Sequence, residues 1–247
     1  CRLATDLGIR SYKITGGEPL VRKGCLEFLG KLKEVPNVAN VTLTTNGTLL
    51  AKYAKNLAHI GVDGVNISLD TCDRQRFQDI AGVDGLATTL KGIEAGFAVG
   101  LKMKLNCVPL KSTPEQDFIA LLELAERYSI PLRFIELMPL RCNGTLDSYS
   151  GEEIRTLLSK ALNADIRPRE GTSSLGNGPA VYYNVTGFNI PLGFIEPIHG
   201  KFCANCNRIR LTSTGGLKTC LYQEQIVDLR SLLRAGSSDA KISEVLK

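Results

Sequence analysis

The stretch SYKITGGEP (residues 11–19) reads as a short strand that runs directly into two glycines, a carboxylate and a proline. Tyr12, Ile14 and Thr15 favour extended backbone, and Gly16 and Gly17 open a turn whose peptide groups a ligand can approach closely. Four later stretches repeat the arrangement: NVTLTTNG (40–47), GVNISLD (64–70), LKMKLNCV (101–108) and LRFIELMP (132–139). Each is a β-rich run that ends in chemically distinctive residues: Thr44 to Gly47, Ser68 and Asp70, Asn106 and Cys107, and Glu136 to Pro139.

Between these runs lie helical periodicities near 25–34, 48–60, 87–99 and 115–128, closed by Gly61, Gly100 and Pro131. Strand–helix alternation at this spacing gives parallel β/α units. A doubly wound sheet and a barrel both produce it, but unusual residues gathered at the C-terminal ends of successive strands are the barrel arrangement. The expectation is an α/β protein with a partial (β/α) TIM-like barrel over 1–140. From 141 the rhythm changes. A helix over 151–162, a Gly-, Ser- and Pro-containing loop over 168–179, short antiparallel strands and a helix from about 226 predict an α+β extension over 141–247.

The chain of 247 residues is 43% hydrophobic and 22% charged, which suits an ordinary globular fold. A net charge of +5 with no basic block argues against nucleic-acid binding, and no apolar run is long enough to span a membrane. No secretory leader is recognised, so the expected compartment is the cytoplasm in a bacterium or the mitochondrial matrix in a eukaryote, without secretion. Eight cysteines, five of them scattered singly, do not form a disulfide framework.

The other three are different. Cys203, Cys206 and Cys220, in FCANCNRIRLTSTGGLKTC (202–220), give Cys-x2-Cys-x13-Cys. The close pair puts two thiolates on one tight turn, and a third from a nearby hairpin closes a metal site. Three protein ligands leave one iron of a cubane cluster open to a substrate. Arg208 and Arg210 alternate on an expected strand and share a face, placing two fixed cations beside the metal where a phosphate-bearing substrate needs them. A structural Cys3His zinc site that recruits His199 is the competing arrangement.

Other positions admit plain structural explanations beside functional ones. Gly16-Gly17-Glu18-Pro19 makes a serviceable βα turn, Thr44 to Gly47 a strand end with a helix cap, and Ser68 with Asp70 a polar pair at a rim. Lys104 stands mid-strand between Met103 and Leu105, facing either a cavity or an edge. Met138 at a strand tip is a core residue or a ligand contact. Ser-His-Asp arrangements, paired carboxylates and phosphate-binding P-loops are missing, which removes acid–base hydrolysis and P-loop phosphoryl transfer. No catalytic acid, base or nucleophile is identified.

Taken together, KITGGEPLVR, LTTNG, NISLDT, KLNCV, RFIELMP and FCANCNRIRLTSTGGLKTCL resemble the radical S-adenosylmethionine (SAM) superfamily, and within it the MoaA family of GTP 3′,8-cyclases of molybdenum cofactor biosynthesis. The resemblance implies a radical SAM-type partial barrel whose C-terminal extension carries a [4Fe–4S] cluster. It implies SAM contacts at Gly17, Glu18, Ser68 and Met138, and GTP contacts at Lys13, Thr44, Lys104, Arg208, Ile209 and Arg210. It makes Cys203, Cys206 and Cys220 ligands of the cluster that receives the guanine. It also implies a flavodoxin- or ferredoxin-like electron donor, delivery of product to cyclic pyranopterin monophosphate synthase, and a homodimer. Where the family carries Arg, Lys13 keeps the charge but loses the bidentate fork. The family's Cys-x3-Cys-x2-Cys loop for a SAM-binding cluster is not among these residues, nor is its C-terminal Gly-Gly tail. The expectation is therefore that this stretch alone does not cleave SAM reductively. A GTP-binding remnant without radical chemistry and a zinc-clipped β/α protein remain the alternatives.

Overall fold

A computed structural model describes residues 1–138, 147–171, 175–176, 178–200, 206–221 and 227–246. Its frame is a series of parallel strands, β1 (Ser11–Ile14), β2 (Asn40–Thr45), β3 (Gly64–Ser68), β4 (Met103–Cys107) and β5 (Leu132–Ile135), each hydrogen-bonded to the next. The connecting helices are α2 (Cys25–Lys33), α3 (Leu50–Ile60), α4 (Arg74–Ala81) with α5 (Leu86–Ala98), and α6 (Glu115–Arg127); α1 (Arg2–Asp6) precedes β1. All five expected strands form, and the open, curved run of parallel strands is the partial barrel.

The alternation of side chains explains the curvature's two faces. Val41, Leu43, Val65, Ile67, Met103, Leu105, Leu132 and Phe134 are all buried and meet the helices. The intervening residues face the other way, and the register sets them in rows. Lys13 stands beside Thr42, Thr44 beside Asn66 and Asn66 beside Lys104, while Ser68, Asn106 and Arg133 follow one another across β3, β4 and β5. Along β1 to β4 and at Arg133 the described residues of the inner face are polar or cationic.

Residues beyond 141 do more than was expected of them. After α7 (Gly151–Leu162), β6 (Ile166–Pro168) and β7 (Val181–Val185) are antiparallel, but β8 (Leu192–Ile195) lies parallel beside β5 and continues the large sheet. The eight strands run in the order β1-β2-β3-β4-β5-β8-β7-β6. The purely antiparallel tail is thus corrected: LGFI (192–195) is too short for periodicity to reveal its partner. α7 starts with a capping box, in which Ser150 Oγ accepts from Glu153 N and Glu153 Oε2 from Ser150 N. It covers the outer face by laying Arg155 over the rings of Tyr183 and Phe194, 4.8 and 5.1 Å from their centroids.

A separate three-stranded sheet follows, with β10 (Gly216–Lys218) between β9 (Arg210–Leu211) and β11 (Val227–Asp228). The helix expected from about 226 is two: α8 (Leu229–Arg234), capped by Asp228, and α9 (Asp239–Leu246). Arg208 lies outside β9, so a shared strand does not orient it with Arg210. Among the described residues no helix is long and apolar enough to cross a membrane.

Candidate functional site

Five cations converge on the inner face. The charges that bear on Lys13 are Arg133, Arg208, Lys104 and Arg210, all positive. Lys13 is exposed at the open hollow, yet protein atoms around it partly desolvate its ammonium. Desolvation first, and these cations second, pull its pKa from 10.5 to about 8. Desolvation and then Arg133 lower that of Lys104, also to about 8. Lys104 donates to the carbonyl of Leu175 and faces the cavity, which settles its mid-strand placement.

Arg133 was not singled out by the sequence reading, and it is the pivot of the cluster. It is 5% exposed. Its Nε donates to Asn106 Oδ1 at 2.9 Å and its Nη2 to Asn66 Oδ1 at 2.5 Å. Asn66 in turn donates to the Leu43 carbonyl at 3.2 Å and to Thr44 Oγ1 at 3.4 Å. Burial lowers the Arg133 pKa from its ordinary value, partly offset by Tyr182. Gly193 on β8 faces Arg133, and a Cβ there would lie 2.8 Å from both Arg133 Cγ and Tyr182 Cε1. Glycine is what lets the two side chains fold across that strand. The signal available beforehand was an arginine inside the apolar run LRFI, the same anomaly that drew attention to Lys104.

At the rim, Gly17 is exposed and Gly16 takes φ 145°, which favours glycine. Glu18 is turned to the neighbouring loop: Oε1 accepts from Leu20 N at 3.0 Å and Thr45 Oγ1 at 2.8 Å, and Oε2 from Asn46 N at 2.7 Å. The first two rim loops are thereby one unit. Ser68 is exposed and Met138 half-buried at the ends of β3 and β5. Asp70 turns away to accept from Val108 N at 2.7 Å, and burial raises its pKa against that bond.

Cys206 is exposed and Cys220 half-buried, both as free thiols, while Cys203 lies outside the described residues. The β9–β10 register pairs Arg210 with Lys218. Cys206 and Cys220 lie on the two flanks of this hairpin, outside its paired residues. In its chemistry, a set of soft thiolates on and before a hairpin fits an iron–sulfur cluster. Ile209, between the two arginines, is 43% exposed. The Nδ1 of His199 bonds the carboxylate of Glu136, and that neighbour raises its pKa. Among the described residues no three His, Cys, Asp or Glu side chains converge on a metal position.

Two family models divide the chain: Radical SAM superfamily over residues 1–125 and Molybdenum Cofactor Synthesis C over 130–247. A GTP 3′,8-cyclase of Clostridium perfringens (strain SM101 / Type A) is 36% identical over 242 residues, covering 98% of this chain and 74% of its own. The GTP 3′,8-cyclase of Heliobacterium modesticaldum is 39% identical, covering 99% and 75%, and that of Sinorhizobium medicae is 40% identical, covering 100% and 71%. Among solved structures, Streptococcus suis SuiB bound to S-adenosylmethionine superposes with a TM-score of 0.68 at 18% identity. That match covers all of this chain and 59% of SuiB, and shows a shared fold.

Proposed function

Because the chain belongs to the GTP 3′,8-cyclase family of the radical SAM superfamily, we propose that it is the barrel and extension of an enzyme converting GTP to (8S)-3′,8-cyclo-7,8-dihydroguanosine 5′-triphosphate in molybdenum cofactor biosynthesis. The observation that carries this reading is the cluster of Lys13, Lys104, Arg133, Arg208 and Arg210, in which every charge bearing on Lys13 is positive. Concentrating like charge in a partly dry hollow costs folding energy, and a polyanion that enters recovers it. A triphosphate matches that demand.

In this reading Arg133, Lys13, Lys104, Arg208 and Arg210 hold the phosphates, with Thr44 and Ile209 beside the nucleoside. Gly17, Ser68 and Met138 meet SAM across the rim. Glu18 contributes mainly by fixing the loop, since its two oxygens already take three protein donors. Cys203, Cys206 and Cys220 hold a [4Fe–4S] cluster that leaves one iron for the guanine. When bound, SAM and a reduced cluster would supply hydrogen-atom abstraction at the ribose, and closing the carbon–carbon bond to C8 would then take up one electron and one proton to give the 7,8-dihydro product. The protein's task is to hold the ribose at the rim and keep water and stray hydrogen donors from it. A flavodoxin- or ferredoxin-type donor, transfer of product to cyclic pyranopterin monophosphate synthase, a homodimer, a cytoplasmic or matrix location, and a division near residue 140 complete the proposal.

The test uses the full-length protein, reconstituted anaerobically with iron and sulfide and supplied with dithionite, SAM and GTP. GTP-dependent formation of 5′-deoxyadenosine with loss of GTP is expected. GTP binding without any 5′-deoxyadenosine supports the remnant instead. A colourless, zinc-loaded protein that binds GTP no better than guanosine sinks the proposal.

A further inference from the structure

Glu136 is a carboxylate directly after β5 to which the proposed reaction gives no part, and it is 5% exposed. Its own N–H still donates to the Ile195 carbonyl at 2.9 Å, so β5 and β8 run together to this point. Its side chain then reaches over the end of β8. Oε2 accepts from the backbone N–H of Ile198 at 2.8 Å and of His199 at 3.2 Å, and Oε1 bonds His199 Nδ1. The turn held in this way is closed on itself. Gly200 N donates to the Glu196 carbonyl at 2.9 Å, and a Cβ on Gly200 would meet that oxygen at 2.6 Å. From the other side Glu196 Oε1 accepts from Gly151 N at 3.0 Å, which ties the turn to the start of α7.

The turn is the last described part of the large sheet's framework before the chain leaves for Cys206, Arg208 and β9. Among the described residues the small sheet shares no ladder with the large one. The turn is therefore one of the tethers that bear on where Arg208 and Arg210 meet Lys13. Cys206 follows Gly200 by six positions, a span of at most about 20 Å, and Met138 follows Glu136 by two, at most about 7 Å. One buried carboxylate thus stands between the expected SAM contact and the strand that brings the cluster thiolate and two phosphate-binding arginines.

We infer that Glu136 is a positioning residue: it anchors the 196–200 turn and through it sets where the Cys206–Arg210 segment meets the hollow. This rests on the reading of the hollow as a GTP site. Hydrogen bonds from backbone N–H groups to a buried carboxylate are charge-assisted, so their loss loosens the turn by about tenfold to a hundredfold.

The full-length, anaerobically reconstituted protein tests it. In Glu136→Ala, amide exchange at Ile198 and His199 rises about tenfold or more, and the GTP Kd rises about tenfold, while the SAM Kd and exchange of the β3 amides stay at wild-type values. The GTP-induced change in the EPR spectrum of the reduced protein diminishes in parallel. Glu136→Gln, which retains an acceptor, falls between. His199→Asn keeps a donor near Nδ1 and behaves as wild type, whereas His199→Leu loosens the turn. Unchanged exchange at Ile198 and His199 overturns the inference, as does loosened exchange with GTP affinity and EPR spectrum unmoved. If wild-type protein fails to bind GTP, the functional reading falls. If wild type binds and the variants bind equally, only the positioning role falls.

Discussion

Lys13 and Lys104 carry the most direct consequence for solution behaviour. Both have pKa values lowered from 10.5 to about 8, so the fold favours their neutral forms. Their stability contribution is present above the unfolded value of 10.5 and is lost as pH falls through about 8, where both take up protons into a cationic hollow. A triphosphate reverses the preference, because it rewards the charged forms. GTP binding is therefore expected to take up protons near pH 8 and to weaken as pH rises beyond it, when the free lysines are already neutral. Calorimetry in buffers of different ionisation enthalpy reads both effects, and pH-independent affinity without proton uptake contradicts them. Arg133 gives a second separation at this scale. Arg133→Met removes a buried cation whose desolvation opposes its hydrogen bonds, and it leaves Asn66 and Asn106 to find other donors. Those opposing costs leave the thermal midpoint within a few degrees, while GTP affinity falls by about tenfold to a hundredfold. A loss of affinity that merely tracks a large loss of midpoint would show that Arg133 is structural.

At the scale of the element, α5 shows how a helix far from the chemistry shapes the rim. A Cβ on Gly92 would lie 2.3 Å from the Gly47 carbonyl and 3.1 Å from Leu50 Cβ, and Thr89 Oγ1 donates to the Asn46 carbonyl at 3.1 Å. The same turn presents Asn46 N to Glu18. Gly92→Ala therefore overpacks the joint by about 1–3 kcal/mol, lowers the midpoint by roughly 3–10 °C and loosens SAM more than GTP. Equal weakening of both ligands would argue for general destabilisation. Such features also mark what the sequence could reveal. The five parallel strands were legible because each alternation ends in Gly, Pro or a polar cluster. α4 was not, since none of its residues is buried and its sequence RQRFQDIA lacks an apolar stripe. It is held by Asp73 capping Arg76 N at 2.8 Å and by Arg76 Nε on buried Asp117 at 2.6 Å, a partner far along the chain. Asp117→Asn is accordingly expected to raise amide exchange across α4 while leaving α6 protected. Arg133 escaped for a related reason, and Glu136 was noticed without its role: each takes its meaning from partners on β3, β4 or the turn after β8, and no local pattern encodes those.

For the whole molecule, the decisive fact is that two sheets with no common ladder among the described residues send cations into one hollow. Lys13, Lys104 and Arg133 come from the large sheet, and Arg208 and Arg210 from the segment leading into the small one. Without an anion these groups repel across the gap, and the mild overall charge of +5 does not relieve it because the excess is local. An anion that touches both sheets changes the sign of that interaction and links them. Stabilisation by nucleotide should then follow phosphate count, GTP above GDP above GMP, and should shrink with added salt as screening weakens the repulsion it relieves. At a hundred times its Kd, GTP adds about 2.7 kcal/mol by mass action, roughly 5–10 °C in midpoint for a chain of this size. Each nucleotide is compared at equal concentration, so weaker affinity appears as a smaller shift. Scanning calorimetry of the full-length reconstituted protein at low and high salt makes the measurement. Equal shifts from GMP and GTP, or shifts indifferent to salt, would mean that the base rather than the phosphates bridges the two sheets.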